Sequence, residues 1–237
     1  MNKNHHPHYV AFVARLFKPS RNTTVELVVL LSSFFGLYLI SLRNYPLFRS
    51  LTGLFSVGVA FTIFMLAWNT RQLVGNSWLL FLGLGYLFIG NIDLIHTLSY
   101  TGTGTVQGFG TNIPTQLWIA ARYTESLVWL AVPLFLRHRW KAEYVFISLA
   151  AVTAFILVSI FYFDIFPDCY VEGVGLTSFM RISNYSISFI FLIAVFLLVS
   201  RRRGFDSLVF NYLVGSLITG IISELTFTLS IDMYGFL

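Results

Sequence analysis

Four ionisable residues stand inside apolar runs between Gly90 and Glu125. The first run reads Gly90-Asn91-Ile92-Asp93-Leu94-Ile95-His96-Thr97. The second reads Pro114-Thr115-Gln116-Leu117-Trp118-Ile119-Ala120-Ala121-Arg122-Tyr123-Thr124-Glu125. An Asp or Arg at the centre of a membrane helix costs about 2.5–3.5 kcal/mol. Groups that costly either hold helices together or bind and exchange something. Asp93, His96, Arg122 and Glu125 suit ion pairing, proton uptake and contact with a small polar ligand.

Helical spacing widens the set. Trp118, Arg122, Glu125 and Trp129 follow i, i+4, i+7, i+11 and share one face. Tyr86, Gly90, Asp93 and His96 or Thr97 share another. Arg181, Asn184 and Ser188 share a third, and Ser216, Thr219, Ser223, Thr226 and Ser230 a fourth, with Glu224 beside it. Lipid offers polar groups no partner, so these faces are expected to turn inward. The candidate ligand-binding residues are Asp93, His96, Trp118, Arg122, Glu125, Arg181, Asn184 and Glu224. Plainer readings compete. Arg122 and Glu125 can be an intrahelical pin, and the Ser/Thr face can be close helix packing. A haem or metal site wants a second His or Cys near His96. The remaining histidines, His5, His6, His8 and His138, fall in predicted cytoplasmic segments, so no metal ligands are assigned and the cofactor is left open. Cys169 has no intrachain partner and reads as inert. No nucleophile elbow, phosphate loop or HExxH motif occurs, so the chain is not read as an enzyme.

The elements that carry these residues follow from composition. Of 237 residues 57% are hydrophobic and 11% charged, against about 25% charged in soluble domains. The fold expected is all-α, a polytopic membrane helix bundle. Seven segments are long enough to span: 24–42, 48–69, 77–98, 114–136, 143–163, 177–200 and 206–231. Pro114 opens the fourth, and Pro133 is placed to bend its end. The net charge of +5 sits mostly in loops, where it sets topology and implies no nucleic acid. Lys3, Arg15, Lys18, Arg21, Arg71, Arg137, Arg139, Lys141 and Arg201–Arg203 fall on one side, which makes a cytoplasmic amino terminus. Residues 1–23 then form a basic cytoplasmic segment, and 24–237 the membrane domain. On this topology every strongly polar helix residue lies between the midplane and the outer surface. Arg122, eight residues past Pro114, is about 12 Å deep. Seven spans leave Tyr234-Gly235-Phe236-Leu237 outside, so an eighth helix is expected beyond.

Ala67-Trp68-Asn69, the run Gly90–Leu98 and the run Gln116–Ser126, with Ser223-Glu224-Leu225 and Tyr234-Gly235-Phe236, resemble the third family of the MASE group of bacterial membrane-associated sensor domains. The resemblance covers about residues 50–237. It implies a multi-helix input module of the bacterial inner membrane, joined to a cytoplasmic effector such as a histidine kinase or diguanylate cyclase, with a homodimer as the expected assembly. It supplies no ligand. The function expected is detection of a small ligand, a lipid-soluble molecule or a proton in an outer-half pocket. A transporter or proton-relay subunit, and a haem- or metal-binding redox protein, are the competing readings.

Overall fold

The computed structural model describes residues 23–74, 77–99, 110–136 and 141–234. The histidines and basic residues of the first 22 positions, the turns at 75–76 and 137–140, most of the 99–113 loop and residues 235–237 lie outside them. Among the described residues there are seven long helices: α1 (Thr23–Arg43), α2 (Tyr45–Val74), α3 (Ser77–Ser99), α4 (Asn112–Ala131), α5 (Ala142–Phe161), α6 (Ser178–Ser200) and α7 (Ser207–Tyr234). All but α4 are long and apolar enough to cross a membrane. The all-α membrane bundle read from the sequence is the fold observed.

The chain divides into two units, residues 1–49 and 50–237. In the first, α1 is apolar along most of its length. Asn44 separates it from α2, and its Oδ1 caps the new helix by accepting from the Leu47 amide at 3.1 Å.

In the second unit α4 is the central helix. It packs against α3, α5 and α6, and its Gln116, Leu117, Ala120, Ala121, Thr124, Ser126 and Trp129 are buried on several faces. A helix sheathed by protein needs no apolar surface, which is why α4 alone carries Gln116, Arg122 and Glu125 and falls short in hydropathy. Pro133 ends it: residues Val132–Leu134 tighten into a 3-10 turn.

Helices α2 and α3 meet through small residues on a seven-residue repeat. Gly53 lies against Thr97, Ala60 against Gly90 and Ala67 against Gly83. A Cβ added at Gly90 would stand 3.0 Å from the Ala60 Cβ, so the backbones approach as in other small-residue membrane interfaces. One end of the bundle carries a two-stranded hairpin, Tyr170–Val171 paired with Gly175–Leu176, turning on Gly173 at φ 80°. The other end is aromatic and arginine-rich. Phe81 stacks on Phe135 at 3.9 Å, Trp78 meets Phe205 edge-on at 5.1 Å, and Arg202 sits 5.5 Å from the Phe210 ring centre.

Candidate functional site

Antiparallel packing of α3 on α4 builds the core of the site. Tyr86 and Asp93 lie two turns apart on α3, and Arg122, Glu125 and Trp129 lie on the facing side of α4. Arg122 bridges the two helices: Nη2 donates to Asp93 Oδ2 at 2.7 Å, and Nη1 donates to Glu125 Oε2. Tyr86 donates its hydroxyl proton to the other Glu125 oxygen at 3.0 Å, and Trp129 Nε1 donates to the Tyr86 oxygen at 3.1 Å. The result is one chain, Asp93–Arg122–Glu125–Tyr86–Trp129, crossing between helices. Arg122 is therefore not merely a pin within α4. Both carboxylates against one guanidinium leave one net negative charge.

Glu224 of α7 is buried within electrostatic range of Arg122 and Glu125. Among the described residues its Oε2 has no hydrogen-bond partner, nor do Arg122 Nε, Asn184 Oδ1 or Ser188 Oγ. Buried polar atoms of this kind are uncommon and ask for an occupant.

A cleft of about 750 Å³ opens beside the chain. Its polar floor is Asp93, Arg122, Glu125 and Tyr86. Its walls are apolar: Phe55, Val59 and Leu66 of α2 on one side, Val209, Tyr212 and Leu213 of α7 on the other. Of those wall residues Phe55, Val59, Leu66 and Tyr212 are exposed, and Val209 and Leu213 are half-buried.

A second polar set closes the hairpin end. Asn112 Oδ1 accepts from the amides of Cys169 and Tyr170 at 2.9 and 3.0 Å, and its Nδ2 donates to Asp168 at 2.7 Å. Buried Gln116 donates to the carbonyls of Phe166 and Pro167 at 2.9 and 3.2 Å. The latch buries Cys169. That burial, and to a lesser degree neighbouring Asp168, pushes its thiol up to about 12.

The eight residues singled out from sequence divide clearly. Asp93, Arg122 and Glu125 come together as one network. His96, one turn above Asp93, holds the Pro114 carbonyl through Nδ1 at 2.7 Å and so ties α3 to the start of α4. Trp118 packs beside the apolar core. Asn184 and Glu224 are buried; Arg181 is exposed. The Ser/Thr face of α7 is a correction. Ser216, Thr219, Ser223 and Thr226 are exposed, whereas Phe210, Leu217, Glu224 and Thr228 turn inward. The Ser216 and Thr219 hydroxyls bond the carbonyls of Leu213 and Gly215 in their own helix, so they need no inward partner. The sidechain of Ser230 lies outside the described ones. Sequence reasoning placed Tyr86 on the right face but not in the site, and it missed Asn112 and Gln116. Their signal was a polar amide at the first turn of a buried helix, beside a loop with free backbone groups.

A bundle of long apolar helices holding a crosslinked ion-pair chain defines an integral membrane protein. The chain belongs to the MASE3 family, the membrane-associated sensor domains, whose sequence profile matches residues 40–237. It is thus a membrane sensory input domain. No curated protein and no solved structure shows a significant match.

Proposed function

We propose that the domain detects a lipid-soluble molecule with a polar head, which enters the side cleft from the bilayer. The observation that carries this reading is the cleft itself, with partly exposed apolar walls and the Asp93–Arg122–Glu125 network as its floor. A ligand of this kind buries its chain against Phe55, Val59 and Leu213 and sets its head against Glu125 and Tyr86. Occupancy changes the balance between two packings of α7 against α3 and α4. The shift passes to a covalently linked cytoplasmic effector, of kinase or cyclase type, in a homodimer of the bacterial cytoplasmic membrane. The Lys and Arg distribution supports a cytoplasmic amino terminus, which puts the cleft floor in the outer half.

Glu125→Gln tests the reading in the full-length protein. The amide keeps an acceptor for Tyr86 and leaves Arg122 its bond to Asp93, so membrane abundance stays near that of the parent. Effector output per molecule changes because the floor has lost its net charge. Unchanged output at normal abundance would remove the cleft floor from the sensing site.

A further inference from the structure

Helices α6 and α7 carry three buried oxygens that have no hydrogen-bond partner among the described residues, on Asn184, Ser188 and Glu224, and none of these three residues lines the cleft. Helices α6 and α7 pack against each other and are joined through a turn ending at Gly204. Asn184 lies twenty residues before Gly204 and Glu224 twenty after it, so an antiparallel pair sets them at one depth. The buried positions of both helices keep this register. Phe191 and Leu217, then Leu198 and Phe210, are also equidistant from Gly204, and all four lie in one apolar cluster. Ser188, one turn along α6 from Asn184, stands level with Gly220. A Cβ built on Gly220 would meet no atom within 4 Å, so there is room beside it.

Asn184, Glu224 and Ser188 are 2%, 6% and 7% exposed. Each presents a buried oxygen with no donor: an amide carbonyl, a carboxylate and a hydroxyl. Oxygen lone pairs without donors call for a positive ligand. Charge points the same way. Asp93 and Glu125 set two carboxyl groups against the single Arg122 guanidinium, and Glu224 is a third carboxyl group within electrostatic range of Arg122 and Glu125. A monovalent cation supplies a second positive charge to this set. An all-oxygen set without sulfur or imidazole suits a hard cation rather than a transition metal.

We infer that Glu224, Asn184 and Ser188 bind one alkali-metal cation between α6 and α7, with water completing its shell. The ion joins the two helices, so its binding stabilises the fold by mass action. This inference does not depend on the cleft reading, and its test reads stability rather than signalling.

The purified full chain in lipid nanodiscs is unfolded thermally in NaCl, KCl or choline chloride at constant ionic strength and pH. NaCl or KCl is expected to raise Tm saturably over choline, by roughly 3–6 °C at ten times the dissociation constant. Glu224→Gln abolishes the rise. The milder Ser188→Ala, which removes one hydroxyl and is expected to fold, shifts half-saturation upward about tenfold. Identical Tm in all three salts would overturn the inference. So would an alkali-dependent rise that persists unchanged in both variants, or one reproduced by acidification in choline alone, which would make Glu224 a proton site.

Discussion

Arg122→Leu is the most informative single substitution in the bundle. Arg122, Asp93 and Glu125 side chains are only 21%, 13% and 15% exposed, so solvent does little to replace a lost partner. Leucine removes both ion pairs at once and leaves two carboxylates facing each other without a cation. Removing one partner of a buried pair costs about 3–5 kcal/mol. For a chain of this size that corresponds to a fall in Tm of roughly 6–20 °C. Asp93→Asn is milder, because Arg122 keeps Glu125. The triple replacement Asp93→Leu, Arg122→Leu, Glu125→Leu removes every charge together, and apolar substitutes for a buried ionic cluster are often neutral or stabilising. The assay is thermal unfolding in nanodiscs followed by tryptophan fluorescence. The expected order is Arg122→Leu lowest, Asp93→Asn between, and the triple variant recovering most of the loss. If Arg122→Leu unfolds within about 2 °C of the parent, the network does not hold the bundle and the energetic reasoning fails.

Other outcomes follow from the helix contacts and the hairpin latch. Gly83→Ala forces the new methyl into Ala67 across the α2–α3 interface and destabilises by about 1–3 kcal/mol. Adding Ala67→Gly to that variant restores most of the loss, and a double-mutant cycle showing no coupling would dismiss the close approach. Cys169 resists a membrane-permeant maleimide at pH 8 in the folded protein, and Asn112→Ala, which opens the latch, speeds labelling at least tenfold; equal rates would mean the latch does not shield the thiol. The folded thiol, at about 12, keeps its proton where the unfolded thiol, at about 8.5, has lost it. Cys169 therefore favours folding below about pH 8.5, and that contribution is lost as pH rises from there toward 12. A Cys169→Ser variant that loses as much stability as the parent across that range would contradict this assignment.

Much of the site was readable because charge is scarce in this chain. Asp93, Arg122 and Glu125 stood out against apolar runs, and helical spacing put Arg122 and Glu125 on the face that meets α3. Residue counting puts Glu224 and Arg122 in the same half of the bundle, and Glu224 is buried within electrostatic range of Arg122. Direction around a helix was harder. Serine and threonine can satisfy themselves on their own backbone, so the α7 face at 216–226 carried no inward signal, and the heptad of Phe210, Leu217 and Glu224 was the better guide. Arg181 illustrates the same limit. A long cation near a helix start tolerates an exposed position that a mid-helix arginine does not. The α2–α3 interface was written in Gly53, Ala60, Ala67, Gly83 and Gly90, but a seven-residue repeat of small residues becomes visible only when two helices are aligned antiparallel. Asn112 and Gln116 bond loop backbone, and loop path does not follow from periodicity.

Ser216→Phe offers the most direct test of sensing through the cleft. Ser216 lines the cleft from an exposed position on α7, so phenylalanine fills the space without breaking an ion pair or entering the core. In the full-length protein, effector output is measured against membrane abundance for the parent and the variant in the same cells. The account predicts normal abundance with output fixed at one level, insensitive to conditions that move the parent. Normal abundance with a response matching the parent would contradict it.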